Sequence, residues 1–393
     1  MPSTSTTQSN WSTSGAVLEY QGKPVVLRGF SLTTLQYLLR GIGTASFCVY
    51  DWNDPSQIIT TVDTAQTDAI TGVFVGADST VMPAVRIAIT ACYVLDVVTS
   101  QWQSNNDKYP NLSAQYNELL SGLIDTFTQK GVVVILDLHW NDDVTEQQPM
   151  ALKSTPATPT GDALDFWTTL AERYGGNDRV FFELYNEPFG IDYDTWLNGG
   201  SGTNGVEYRG MKELYQAVRQ ATNNPVLIGG TNWAYADYGN QGFTDIYIEG
   251  FVRDVTPTNV LATLHPYQGH GQGVEKTPEL LAELIEAIQG QAGVPIVLSE
   301  LGQYCCPDDG ACSNYDGTYN GTAMGYVQAV FEVAQSYGVS WTPWAWRPNA
   351  GADCTQPDVN DNLALASSTG SGGADFASLF PTYYAKSVTA RRG

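Results

Sequence analysis

Basic residues are scarce in this chain of 393: 18 Lys and Arg stand against 41 Asp and Glu, a formal net charge of −23. Phosphate contacts need clustered Lys and Arg, so the balance argues against nucleic acid and against a membrane surface as partners. Histidine is rarer still, with three in the whole chain. No run approaches the ~20 consecutive apolar residues that a membrane span requires. Residues 1–10 are rich in Ser and Thr and lack an apolar h-region, so they read as a flexible tail and not as a signal peptide. HExxH and paired C-x-x-C patterns are missing. A metal hydrolase would have to rely on acids such as Asp142, Asp143, Asp308 and Asp309, without a dense His/Asp motif to gather them. No metal and no cofactor are expected.

What is present is a hydrophobic content of 42%, enough for a large core. The length allows two or three domains, or one (β/α) barrel with insertions. The chain has 10 Trp and 22 Tyr, and Ser, Thr, Asn, Gln and Gly are common. Each ring taken singly is as readily core as binding surface. As a set, flat rings among neutral polar groups suit a sugar-like ligand. Six cysteines, Cys48, Cys92, Cys305, Cys306, Cys312 and Cys354, form an even set. Three disulfides are expected: Cys48 with Cys92, one of Cys305 and Cys306 with Cys354, and the other with Cys312. Oxidised cysteines imply a secreted, extracellular protein.

Short apolar strands alternate with amphipathic stretches, the pattern of parallel β/α architecture. Strands are expected at Val25–Phe30, Ala84–Ile87, Val132–Leu138, Val180–Tyr185, Pro225–Gly229, Val260–Leu264, Ile296–Ser299 and Ser340–Ala345. Ser113 is a candidate cap for a helix whose stripe is Tyr116, Leu119, Leu120, Leu123, Ile124 and Phe127. Further helices are expected at Val62–Val73, Asp162–Tyr174, Tyr208–Ala221, Thr277–Ile288, Thr322–Tyr337 and Thr382–Ala390. The fold class is therefore α/β: a single (β/α)8 TIM barrel over residues 11–393. It carries an elaborated loop after strand one and a cysteine-rich loop after strand seven.

Phe181 to Pro188 reads FFELYNEP, an apolar strand ending in Asn186-Glu187-Pro188. Alternation puts Glu183, Tyr185 and Glu187 on one face, and Pro188 ends the ladder. Pro295 to Gly302, PIVLSELG, repeats the design with Glu300. In a barrel all C-terminal strand ends converge on one pocket. The ends here carry Arg86, Asp137-Leu138-His139-Trp140, Asn186-Glu187, Thr231-Asn232-Trp233, His265-Pro266-Tyr267, Glu300 and Trp344-Ala345-Trp346. Two of the three histidines fall in this set. Glu183, deeper on its strand, reads as a buried hydrogen-bonding group and not as a third catalyst.

This ordered set resembles the family 5 glycoside hydrolases, of the cellulase and mannanase kind. The resemblance rests on Arg86, the DLHW at His139, the NEP at Glu187, the HPY at His265 and Tyr267, the SELG at Glu300 and the Trp-rich end of strand eight. It implies a retaining β-glycosidase with Glu187 as acid/base and Glu300 as nucleophile. It also implies Asn186 at the sugar 2-hydroxyl, His139 and His265 lining the same subsite, and Trp344 as the platform beneath the sugar. Trp346 is a second choice for that role, with Trp140 and Trp233 extending the stacking surface. Independently, Arg86 and the Tyr267 hydroxyl would favour an ionised Glu300, and a retaining pair needs two carboxyls ~5 Å apart. A β-linked poly- or oligosaccharide is the expected partner, acted on by a monomer. β-1,4-Glucan is the default substrate; mannan, xyloglucan and mixed-linkage glucan are alternatives. A non-catalytic carbohydrate-binding protein is the alternative of another class, and retention of both glutamates argues against it.

Overall fold

The computed structural model describes residues 9–33, 35, 50–51, 54–58, 61–62, 64–74, 76–77, 79–97, 111–142, 148–202, 205–235, 246–268, 277–303, 318–346 and 373–386. Eight strands form a closed barrel: β1 Val26–Leu32, β2 Val81–Thr90, β3 Val133–Trp140, β4 Val180–Glu183, β5 Val226–Gly229, β6 Val260–Thr263, β7 Ile296–Leu298 and β8 Ser340–Trp341. Neighbouring strands are parallel, and β8 returns to β1 through the Trp341–Arg28 register pair. The helices that follow the strands are α1 Thr64–Gly72, α2 Leu112–Gln129, α3 Ala163–Tyr174, α4 Met211–Ala221, α5 Ile246–Val255, α6 Pro278–Ala287, α7 Tyr326–Tyr337 and α8 Gly373–Ala385. The expected (β/α)8 barrel is borne out.

Its strands read as nearly unbroken apolar runs because both faces are covered. Leu27, Ala84, Val133, Ile135, Phe181, Leu227, Leu261 and Val297 fill the barrel's interior. The alternate residues Phe30, Val85, Ile87, Leu136 and Phe182 pack outward with the helices. Gly29 must lack a side chain, since a Cβ there would overlap the Ala84 carbonyl. Trp11 belongs to the interior cluster and meets Phe181 edge-on at 4.7 Å. It comes from a small antiparallel sheet, Trp11–Ser14, Val17–Tyr20 and Lys23–Pro24, that sequence reading did not foresee.

Seven of these helices overlap expected ones and differ at their ends, whereas α5, Ile246–Val255, was not expected. The α2 stripe is buried as its spacing predicts, but the cap is Asn111 in a left-handed conformation (φ 67°), and Ser113 lies buried inside the first turn. Asp162 caps α3 and Thr277 caps α6. Tyr208 and Thr322 belong to short strand pairs, so α4 and α7 begin later, after Gly210 and Gly325. The last helix starts before Pro381 instead of after it and ends earlier than expected. Arg28 ends it by donating through Nη1 to the carbonyls of Tyr383, Tyr384 and Lys386.

Cys92 is buried in a short helix, Ala91–Leu95. The other five cysteines, and with them the expected disulfides and the cysteine-rich loop, lie outside the described residues, as do Asp143, Asp308 and Asp309. Among the described residues no helix is long and apolar enough to cross a membrane.

Candidate active site

Alternation along β2 turns Ala84, Arg86 and Ala88 inward, and Arg86 is fully buried where the barrel opens. Its guanidinium meets four partners. Nε donates to Glu183 Oε2 at 2.6 Å and Nη1 to Glu300 Oε1 at 2.7 Å. Nη2 donates to Asn186 Oδ1 at 2.7 Å and lies 3.0 Å from Asp137 Oδ2. Burial opposes its charge, yet Asp137, Glu183 and Glu300 together raise its pKa well above the ordinary value. A buried cation with this many acceptors is locked in both charge and orientation.

Glu300 follows β7 and is held at both oxygens, Oε1 by Arg86 and Oε2 by the Tyr267 hydroxyl at 2.7 Å. Glu187 Oε1 lies 2.9 Å from His265 Nδ1. One donor atom from each of Glu187, His265 and Glu300 falls within 4.8 Å of the others, so the two carboxylates face each other closely. Such a trio has the spacing of a cation site. Arg86 and Tyr267 already fill the Glu300 oxygens, however, and a buried guanidinium at this distance repels a second cation.

The path of the chain into Glu187 departs from simple alternation. β4 ends at Glu183, and Leu184 and Tyr185 both pack in the outer layer. The Leu184 carbonyl accepts Trp167 Nε1 at 2.9 Å and the Tyr185 hydroxyl donates to the Gln148 carbonyl at 2.7 Å. Tyr185 therefore does not share a face with Glu187, contrary to the alternation reading. The slip in phase has a chemical result: consecutive residues, Asn186 and Glu187, both reach the site. Likewise Ser299 and Glu300 both face it after β7 ends at Leu298.

Glu183 is enclosed, accepting from Arg86, from Ser299 Oγ at 2.8 Å and from Thr263 Oγ1 at 3.2 Å. Burial disfavours its charge, but Arg86 and His265 outweigh that and bring it down to about 2. Asp137 goes the other way: burial raises its pKa well above the usual carboxylate range, against the pull of Arg86. One cation is divided among three acids, and Asp137 Oδ1 has no hydrogen-bond partner among the described residues.

The two site histidines differ in charge. Burial, with Arg86 nearby, pulls His139 down to about 3, so the ring is neutral. Its Nδ1 lies 2.6 Å from Asp137 Oδ2 and its Nε2 3.4 Å from Asn186 Nδ2. Burial would also lower His265, but Glu300, Glu183 and Glu187 outweigh it and hold the ring up to about 9.

Trp344 lies parallel to His139, 16° between planes and 5.1 Å between centroids, with the Arg86 guanidinium carbon 5.9 Å from its ring. Trp140 meets His139 edge-on at 5.5 Å. Trp233 stacks on Phe189, two residues beyond Glu187, at 5.1 Å and 5°. Its amide donates to the Pro188 carbonyl at 2.8 Å, and Asn232, Trp233 and Ala234 all have positive φ. Trp346 is placed elsewhere: it stacks on Phe30 at 4.8 Å, in the outer layer. Regular β8 ends at Trp341, so the alternation that put Trp344 and Trp346 on one face does not extend that far.

Arg86, His139, Asn186, Glu187, His265, Tyr267, Glu300 and Trp344 thus converge. Trp140 and Trp233 stand around them, and Trp346 does not join them. Sequence reading placed Asp137 at the rim without a role and passed over Thr263, Ser299 and Phe189. A role for Asp137 was findable, because it shares a strand face with His139.

The model of the cellulase family, glycosyl hydrolase family 5, matches residues 50–350, well over half of the chain. The chain belongs to glycosyl hydrolase family 5. Among curated relatives, endoglucanase MaCel5A of Microbulbifer sp. is 24% identical over 261 residues, 64% of this chain and 43% of that protein. An endoglucanase of Clostridium saccharobutylicum is 23% identical over 281 residues, 72% of this chain and 51% of its own length. The chain thus spans about half the length of the curated relatives it matches. Two solved structures share the fold. The catalytic domain of Thermobifida fusca endoglucanase Cel5A has a TM-score of 0.56 at 17% identity, covering 94% of this chain and 97% of that one. The β-glucanase SdGluc5_26A of Saccharophagus degradans, in complex with cellotetraose, has a TM-score of 0.55 at 18% identity, covering 98% and 97%.

Proposed function

We propose that this family 5 protein is a secreted retaining β-glycanase, an endo-β-1,4-glucanase in which Glu300 is the nucleophile and Glu187 the acid/base. The observation that carries the reading is the closeness of the two carboxylates, with donor atoms of Glu187, His265 and Glu300 within 4.8 Å of one another. Carboxyls roughly 5 Å apart suit attack by one on the anomeric carbon, whereas inversion needs a wider gap, about 6.5–9.5 Å, for a water molecule.

The neighbours support this division of roles. Glu300 is held in place by Arg86 and Tyr267 at its two oxygens. It attacks the anomeric carbon as Glu187 gives a proton to the leaving glycosidic oxygen. Glu187 then takes a proton from water, whose oxygen displaces Glu300 and frees the sugar. Arg86 claims the Asn186 Oδ1, which turns the amide Nδ2 toward the pocket as a donor for a sugar hydroxyl. Neutral His139 and Trp344, stacked on each other, form one wall.

β-1,4-Glucan as substrate is supported by the relatives' names as endoglucanases and by the aromatic rings of Trp344, Trp140 and Trp233 around the site. Secretion is supported by the even cysteine set and by a polymer substrate too large to enter a cell. Incubation with soluble glucans and mannans, followed by product analysis, tests the assignment. Cello-oligosaccharides of mixed length are the expected products. Cleavage of mannan alone would replace the substrate, and no cleavage of any β-glycan would defeat the reading.

A further inference from the structure

Four groups stand in a hydrogen-bonded line through the barrel mouth. Ser299 Oγ is 2.8 Å from Glu183 Oε1, His265 Nε2 is 2.8 Å from Ser299 Oγ, and His265 Nδ1 is 2.9 Å from Glu187 Oε1. The line has a fixed polarity. Glu183 is ionised and can only accept, so the single Ser299 proton goes to it. The Ser299 oxygen must then accept from the ring, which places a proton on His265 Nε2. Thr263, bonded to both Glu183 and Ser299, braces the same end. What remains at the other end is one proton between His265 Nδ1 and Glu187 Oε1. Either the carboxyl donates to a neutral ring or a cationic ring donates to the carboxylate.

We propose that Ser299 and Glu183 are positioning residues for the acid–base step. By pinning a proton on His265 Nε2 they set how the ring divides a proton with Glu187, and so the pH up to which Glu187 retains the proton it delivers. The inference rests on Glu187 being the acid/base. It gives a task to the two buried groups that neither touch the reacting atoms nor serve a purely apolar core. The proton on Nε2 stays in place through both steps; only the Glu187 proton is spent and recovered.

The charges around His265 give the direction of the effect. Glu183 and Glu187 face the ring from the end of β4, Glu300 from the end of β7 at 3.8 Å, and Asp137 from β3. Arg86 and His139 stand on β2 and β3. Tyr267, on the ring's own segment, has its hydroxyl engaged with Glu300. A cationic His265 stabilises the Glu187 carboxylate. Loosening the relay weakens the ring's hold on its proton, so Glu187 keeps its own to a higher pH.

The test compares Ser299→Ala and Ser299→Thr on two substrates, cellotetraose and dinitrophenyl β-cellobioside, whose leaving group needs no proton. On cellotetraose, S299A is expected to move the alkaline limb of kcat/KM up by about one pH unit and to lower kcat/KM at the wild-type optimum about fivefold. On the aryl substrate kcat/KM changes little, and S299T, which keeps the hydroxyl, restores the wild-type limb. An unmoved limb in S299A, an equal loss on both substrates, or an S299T limb matching S299A overturns the proposal. Nitrogen-15 spectra of the imidazoles give a second readout: His265 is expected to be protonated at Nε2 in the wild type and to lose that fixed state in S299A. A wild-type protein that cleaves neither substrate would defeat the functional reading, and the relay would then stand or fall on the His265 spectrum.

Discussion

Arg86 Nη1 lies 2.7 Å from Glu300 Oε1, while the same guanidinium grips Glu183 through Nε at 2.6 Å. One buried cation thus ties the Glu300 carboxylate to a carboxylate that lies deeper in the barrel. The position of Glu300 is set by buried groups, Arg86 on β2 and Tyr267 beyond β6.

Glu300→Gln keeps the shape and an acceptor for Arg86, turns an amide NH2 toward the Tyr267 hydroxyl, and removes the proposed nucleophile. Turnover of cellotetraose should fall by about 10³-fold or more, with binding measured by calorimetry nearly intact. Residual activity close to wild type would remove Glu300 from the mechanism.

Arg86→Met leaves Glu183 and Asp137 buried without their cation. Removing one partner of a buried ionic cluster costs about 3–5 kcal/mol, so the denaturant midpoint should drop sharply. A wild-type midpoint would mean that the cluster contributes nothing to stability.

The pH dependence of stability follows from buried groups, among them Asp137, whose raised pKa makes stability fall as pH rises above the usual carboxylate range. His265, held up to about 9, contributes stability that is complete below its ordinary 6.5 and is lost as pH rises through 9. His139, lowered to about 3, binds protons more tightly when unfolded, so stability falls as pH drops from 6.5 toward 3. Glu183, lowered to about 2, contributes stability present above its ordinary 4.5 and lost as pH falls through 2. Thermal midpoints should therefore decline on both sides of a maximum. His265→Gln should flatten the alkaline decline, and an unchanged slope in that variant would assign the decline to another group.

Trp344→Ala removes the wall facing His139 and should raise KM for cellotetraose by about tenfold, the worth of one stacked ring. Trp346→Phe should leave KM unchanged and lower stability modestly, because its ring packs on Phe30. The reverse pattern in steady-state kinetics would restore Trp346 as the platform.

The barrel was legible because its strands are apolar on both faces, so each stood out as a short run bounded by polar or glycine residues. The rim residues were legible because parallel strands deliver their C-terminal ends to one place. The Trp11–Pro24 sheet escaped notice because its first strand, WSTS, is polar except for the one Trp that plugs the interior. The phase slip at Leu184 and Tyr185 was also hidden. It depends on Trp167, a helix residue distant in sequence, drawing the Leu184 carbonyl outward. Ser299 carried no signal of its own, since its role depends on Glu183 and His265 arriving from two other strands.

The central claim, that Glu300 attacks and Glu187 assists, is tested most directly by trapping with a fluorinated dinitrophenyl cellobioside, whose slowed second step lets the glycosyl-enzyme accumulate. Peptide mass spectrometry should find the sugar ester on Glu300. An ester on any other residue, or an unlabelled enzyme whose first product is the inverted anomer, would contradict the account.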